Sequence, residues 1–111
     1  MNMLNLPSEV FGEVIVVHTP EELAGDNASQ FESYVVALDR PNVVLDVDST
    51  ENFDSEGLSA LLDTQESLQE HNGQLKIAAT NATNRKILEI TRIDQEIEVF
   101  QSVLDAVKSF Q

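Results

Sequence analysis

The chain has 111 residues, 41% hydrophobic and 23% charged, a balance that suits one globular domain over residues 1–111 and excludes a disordered chain. It holds no cysteine and only 2 histidines, far apart, which excludes a disulfide scaffold, a thiol nucleophile and a cysteine-ligated metal and disfavours a histidine-built site. Its 20 acidic residues against 6 basic ones give a net charge of −14, which disfavours nucleic acid and anionic membrane as partners and favours a basic protein surface.

The N-terminal stretch Met1-Asn2-Met3-Leu4-Asn5-Leu6-Pro7 has no basic region before its apolar residues, so no secretory signal is expected. No apolar run reaches the length of a membrane span. With the missing cysteines, these features predict a cytoplasmic protein. The residues before Phe11 suit a short edge strand. Glu13 to His18 carries a β-branched run that predicts a strand buried on both faces, ended by Thr19 and Pro20. Gly25-Asp26-Asn27 forms a turn, with Asn27 as the expected helix cap and Gln30 three residues on. Phe31, Tyr34, Val35 and Leu38 then follow helical spacing, and Arg40-Pro41-Asn42 stops the helix.

Asn42 to Val47 predicts a second strand, followed by a polar loop from Asp48 to Phe53. A helix begins near Ser55 and presents Leu58, Leu61, Leu62 and Leu68 to the core. His71-Asn72-Gly73 stops it, with Gly73 at the expected left-handed position. Gln74 to Ala79 is a third strand. Thr80 to Asn84 is rich in capping residues, and Ile87, Leu88 and Ile90 mark a short helix. Ile97 to Phe100 is a short last strand. Ser102 caps a final helix whose stripe is Val103, Ala106, Val107 and Phe110. Strand and helix alternate. The expected fold class is α/β, a mixed, mostly parallel sheet of four or five strands with about four helices. Function in such sheets concentrates where strand ends meet helix starts, here the Thr19–Asn27 turn and the Asp46–Leu58 loop.

The second of these loops carries the strongest motif, Asp54-Ser55-Glu56-Gly57-Leu58, placed after a strand and opening a helix. A phosphate on Ser55 would meet free backbone N–H groups and the positive end of the helix dipole. Gly57 leaves room for another backbone to approach. Asp54 or Ser55 would also cap the helix, which is worth about 1 kcal/mol and by itself argues for no function.

Five pieces in order resemble the STAS family, named for sulfate transporters and anti-sigma factor antagonists. They are Asp54-Ser55-Glu56-Gly57-Leu58, Gly73-Gln74-Leu75-Lys76-Ile77, Lys86-Ile87-Leu88, Thr91-Arg92-Ile93-Asp94 and Asp105-Ala106-Val107. The resemblance runs from Glu13 to Phe110. It implies a STAS-like fold and a binding module, not an enzyme, with no cofactor and no metal. The implied partner is an anti-sigma factor that is also a serine kinase of the histidine-kinase-like ATPase fold. Phosphorylation of Ser55 would block binding and a serine phosphatase would restore it. The implied partner face joins Asp54, Ser55, Glu56, Gly57 and Leu58 to the Asp26-Asn27 turn. The sequence departs from the family at Glu56, where a small residue is usual. It also departs at Glu22-Leu23-Ala24-Gly25-Asp26, where the family commonly has Gly-x-Leu-Asp. An unmodified STAS scaffold or sensor subunit is the alternative, and Glu56 favours it.

Asp46-Val47-Asp48-Ser49-Thr50 also resembles the Asp-x-Asp-x-Thr signature of haloacid-dehalogenase-like phosphatases, which implies a magnesium site and Asp46 as nucleophile, with Thr80 as a phosphate-binding hydroxyl. That chemistry needs a further acidic pair at a later strand end, where Gln101-Ser102 stand instead. Asp46, Asp48, Glu51 and Asp54 as a calcium loop lack the glycine turn and late glutamate of an EF-hand. Lys86 and Arg92 read as solvated charges, and His18 and His71 as element ends.

Overall fold

The computed structural model describes residues 4–111. Met1 to Met3, which open the stretch expected to carry no secretory signal, lie outside the described residues. Strand β1 (Ser8–Phe11) turns back antiparallel onto β2 (Val14–His18). A two-residue strand, β3 (Glu22–Leu23), precedes helix α1 (Asp26–Ala37). Then come β4 (Asn42–Asp46), another two-residue strand β5 (Asn52–Phe53), and helix α2 (Ser55–Glu70). The chain ends through β6 (Gln74–Ala78), α3 (Ala82–Ile90), a 3-10 turn (Ile93–Gln95), β7 (Val99–Phe100) and α4 (Val103–Lys108). The main sheet has the order β1-β2-β4-β6-β7, and every pairing beyond β1–β2 is parallel. The α/β class, the mostly parallel five-stranded sheet and the four helices match expectation.

β2 is buried along Val14–Val17 because both sheet faces are covered. On one face, Ile15, Val17, Val43, Leu45, Leu75 and Ile77 pack against Phe31 and Val35 of α1, Leu61 and Leu68 of α2, and Leu88 of α3. On the other, Val14, Val16, Val44 and Ala78 pack against Ala106 and Val107 of α4. Lys76 is also buried on this second face. Its ammonium donates to Ser109 Oγ at 2.7 Å, pairs with Glu98 at 3.5 Å and lies 4.2 Å from the Phe110 ring centre. Ser109 is the C-terminal cap of α4, so the charge also faces the negative end of that helix.

Several details differ from the sequence reading. Residues 48–53 are not all loop: β5 pairs in parallel with β3, Glu22 opposite Asn52 and Leu23 opposite Phe53. The last strand is shorter than Ile97 to Phe100, because Ile97 instead closes the 3-10 turn by donating to the Ile93 carbonyl. Leu62 is exposed, since the buried line of α2 runs through Gly57, Leu61, Thr64 and Leu68, and Leu62 sits on its shoulder. Ile90, at the end of α3, is 70% exposed.

The stop after α2 also works differently. Asn72, not Gly73, takes the left-handed conformation, with φ at 62°. Asn tolerates that region because its short polar side chain bonds locally. Gly73 is required by contact: a Cβ there would fall 2.1 Å from the Pro41 carbonyl oxygen, and Gln74 N–H bonds that same oxygen at 2.8 Å. Two substitutions separate these roles. Gly73→Ala should destabilise the fold by about 1–3 kcal/mol through overpacking. Asn72→Gly should stay within about 0.5 kcal/mol, because Gly accepts the same conformation. Urea unfolding of both variants reads the difference, and equal losses would refute the assignment.

Candidate partner-binding site

The two loops singled out in the sequence leave the ends of adjacent parallel strands, β2 and β4, so they meet in space. The β3–β5 pair zips them together, and Glu51 N–H and Asn52 N–H both donate to the Glu21 carbonyl. Beneath, the Thr50 hydroxyl donates to the Pro20 carbonyl and lies against the Thr19 hydroxyl, both threonines being buried. Asn84, buried at the start of α3, donates to the carbonyls of Val47 and Thr50 at 2.8 and 2.9 Å. Nothing in the spacing of Thr50 or Asn84 marked them as loop anchors. The cue available was that both are small polar residues flanking apolar runs.

Asp54 organises the upper layer. Its Oδ1 accepts from Gly57 N–H at 2.8 Å, which caps α2, and its Oδ2 accepts from Gly25 N–H at 3.0 Å, which holds the turn before α1. One carboxylate thus fixes the starts of both helices relative to each other. Gly57 lets the pair close: a Cβ there would fall 1.7 Å from the Leu23 carbonyl oxygen. The approaching backbone is the chain's own.

Asn27 is not the cap of α1. The helix begins at Asp26, and the backbone carbonyls of Ala24 and Gly25 accept from Asn27 N–H and Ala28 N–H. The Asn27 side chain instead donates back to the Glu22 carbonyl and pins the helix to β3. Among the residues expected at the partner face, Asp26, Asp54, Ser55 and Glu56 are exposed, Asn27 and Leu58 are half-buried, and Gly57 is buried. Leu58 packs against the main core cluster. Gly57 and Leu58 therefore serve packing, and the other five keep surface that a partner could reach.

Between α1 and α2 runs an open groove of about 430 Å³. Asp26, Glu32, Glu56 and Asp63 give it four carboxylates and no base, while Ser29, Ser55 and Ser59 line it between them. Ser55 is the first residue of α2 and Asp54 does the capping, so the Ser55 hydroxyl is not committed to the helix start. The groove suits a cationic segment from a protein partner, and a phosphate on Ser55 would place a bulky, strongly hydrated group at its mouth.

The Asp46 and Asp48 side chains serve the framework. Asp46 Oδ2 lies 2.9 Å from His18 Nδ1, and Asp46 Oδ1 accepts from Asp48 N–H. The other His18 nitrogen, Nε2, lies 3.1 Å from Glu9, so the ring clasps β1, β2 and β4 at one end of the sheet. Asp48 Oδ1 accepts from Thr80 N–H and Asn81 N–H, and the Thr80 hydroxyl donates to the Gln101 carbonyl. Asp46 and Asp48 thus spend carboxylate oxygens on the His18 ring and on the backbone N–H groups of Asp48, Thr80 and Asn81. Among the described residues, no three acidic or histidine side chains are grouped to hold a metal, and no helix is long and apolar enough to cross a membrane.

The division of labour between Asp54 and Ser55 is measurable. Asp54→Ala should cost about 1–2 kcal/mol, since it strips a cap and unties the two helix starts. Ser55→Ala should change stability by under about 0.5 kcal/mol, as for a surface site. Chemical denaturation of both variants decides it, and a larger loss for Ser55→Ala would make Ser55 the cap.

The comparisons with known proteins agree with this geometry. The STAS domain family model matches residues 5–106. The crystal structure of an anti-sigma factor antagonist from Mycobacterium paratuberculosis superposes with a TM-score of 0.80 at 26% identity, covering 95% of this chain and 92% of that one. The phosphorylated form of the Bacillus cell fate determinant SpoIIAA has a TM-score of 0.69 at 15% identity, covering 96% of this chain and all of that one (100%). The murine solute carrier 26 family member A9 anion transporter, in its inward-facing state, matches at a TM-score of 0.72 and 20% identity over 89% of this chain, but over only 18% of its own length. No curated protein matches the chain in sequence. The chain belongs to the STAS domain family.

Proposed function

We propose that this chain is a cytoplasmic, bacterial regulatory module of the anti-sigma factor antagonist type. In this reading it acts by binding and not by catalysis. It engages an anti-sigma factor through the α1–α2 groove and so releases a sigma factor. The partner is a serine kinase of the histidine-kinase-like ATPase fold that phosphorylates Ser55, and a serine phosphatase reverses the step. The observation that carries the reading is the exposed Ser55 at the head of α2, left free by the Asp54 cap and standing over a groove of four carboxylates. Similarity to the mycobacterial antagonist supports the partner class. Phosphorylation adds about 1.5 to 2 negative charges at neutral pH. Those charges would sit beside Asp54 and Glu56; the field would still attract a cation, so binding is lost through the bulk of the phosphate and the cost of stripping its water at the contact.

A second reading keeps the same face and omits the modification: a STAS scaffold or sensor subunit. Glu56 favours it, because its charge flanks the acceptor serine and its carboxylate lies over the Gly25 turn, 3.9 Å from where a Gly25 Cβ would stand. The occurrence of this fold inside an anion transporter agrees with that broader use.

The deciding experiment is a phosphosite map of the protein recovered from its native cells, with partner capture from the same lysate. A single phosphate on Ser55 is expected. Ser55→Asp should weaken capture at least about tenfold, equivalent to 1.4 kcal/mol, while Ser55→Ala retains it. Capture should also weaken as salt rises through physiological strength. No phosphate under any growth condition, with the partner still captured, would sink the switch and leave the unmodified module.

A further inference from the structure

The foot of α2, at the end of the helix opposite Ser55, answers to two independent demands. His71 N–H and Gly73 N–H both donate to the Leu68 carbonyl, at 3.0 and 2.7 Å, and Asn72 N–H donates to that of Gln69 at 3.1 Å. This tight turn puts Asn72 in the left-handed region, with φ at 62°. After glycine, asparagine and aspartate reach that region most easily. The next residue must be glycine, because a Cβ on Gly73 would overlap the Pro41 carbonyl oxygen that Gln74 N–H binds at 2.8 Å. The backbone thus admits an asparagine followed by a glycine, and the sequence supplies that pair. Asn72 is exposed, and it is the one asparagine of the chain with glycine after it.

Such a pair carries a reaction of its own. The backbone nitrogen after an asparagine can attack the side-chain carbonyl carbon, Cγ. Attack closes a cyclic imide and expels the side-chain nitrogen as ammonia. Water then opens the imide at one carbonyl or the other, which gives aspartate or isoaspartate. The net change is one water consumed and one ammonia released, with no oxidant or reductant. Glycine is the most permissive neighbour, since it has no side chain to shield the nitrogen. In the closed turn that nitrogen is not free to react: Gly73 N–H is spent on Leu68, and the Gly73–Gln74 peptide is held against Pro41. Turns at helix ends open locally at far lower cost than the whole fold.

We propose that Asn72 is a site of spontaneous deamidation, gated by local opening of the α2–β6 turn. Opening frees the Gly73 nitrogen. Its bond to Asn72 Cγ forms as it gives up its proton to water, and the Cγ–Nδ2 bond breaks as the departing nitrogen takes a proton and leaves as ammonia. Hydrolysis of the imide adds a carboxylate, so both products carry one negative charge more than the chain's −14. In the aspartate product the backbone is unchanged, and the new charge lies at the C-terminal end of α2, where the helix dipole disfavours it. In the isoaspartate product the main chain runs through the side chain and gains a methylene between residues 72 and 73. Gly73 then cannot keep both its bond to Leu68 and its close contact with Pro41. The start of β6, where Gln74 stands opposite Asn42 of β4, loses its anchor. The residues lining the Ser55 groove are not touched by the reaction.

The test is incubation of the full chain at mildly alkaline pH, folded and in guanidinium chloride, followed by peptide mapping and by methylation with an isoaspartyl O-methyltransferase. In the folded chain isoaspartate should form at Asn72 ahead of every other asparagine. It should form at least about tenfold more slowly there than in the unfolded chain, a ratio set by the cost of opening the turn. The purified isoaspartyl form should lose at least about tenfold of its amide-exchange protection at Gly73 and Gln74, while Asn72→Gly, which keeps the turn, retains that protection. The proposal is overturned if the folded chain forms no isoaspartate at Asn72 or forms it first elsewhere, if folded and unfolded chains convert at equal rates, or if the isoaspartyl form keeps the protection of the natural chain.

Discussion

The approach of the Leu23 carbonyl to Gly57 sets the geometry on which the proposed partner face depends. Any side chain at position 57 would collide with backbone, not with a flexible tip that could step aside. The β3–α1 loop and the head of α2 are therefore held at main-chain contact distance. Asp54 then adds direction to proximity, because a single carboxylate accepts from Gly25 N–H on one side and Gly57 N–H on the other. Charge-assisted acceptance of backbone N–H groups is among the stronger hydrogen bonds available to a protein. The groove between α1 and α2 inherits its width from these two contacts.

The acidic surplus of the chain is not spread evenly in its consequences. Four carboxylates line one groove, whereas Lys76 is withdrawn into the interior beneath α4. A buried ammonium costs several kcal/mol of desolvation unless its surroundings compensate. Here Ser109, Glu98, the C-terminal end of α4 and the Phe110 ring all face it. The arrangement ties a helix of only six residues to the sheet, in addition to the contacts of Ala106 and Val107.

Much of this fold was legible because its signals are local. The β-branched run at Val14–Val17, the helical spacing around Phe31 and the cap at Ser102 each follow from residues a few positions apart. What escaped were long-range facts. Strands β3 and β5 are two residues each, too short to carry a period, and exist because their partners lie some thirty positions away. Gln30 three residues after Asn27 imitates a capping box, but Asp54 holds Gly25 and the helix starts one residue before Asn27. Gln74 and Lys76 alternate with Leu75 and Ile77, a pattern that reads as a strand with one wet face. The cover supplied by α4 is invisible there. In the candidate site, Asp54, Ser55 and Gly57 were legible as a motif. Which of the first two caps was not, since both residue types fill that role equally well.

The cap assignment bears on what kind of switch this face can be. If Ser55 closed the helix, adding a phosphate would remove a structural bond, and the head of α2 would have to rearrange. With Asp54 in that role, the Ser55 oxygen can carry a phosphate without unmaking any hydrogen bond that holds the loops together. The added charge would meet the N-terminal end of the α2 dipole, which stabilises it locally. It would meet Glu56, Asp26 and the rest of the groove across the surface, which sharpens the negative potential presented to a partner. In the reading proposed above, the phosphorylated and free forms share one backbone and differ in field. Discrimination between them then falls to the bulk of the phosphate and its desolvation at the contact, and the rigidity supplied by Asp54 and Gly57 is what lets so local a change be read at full strength.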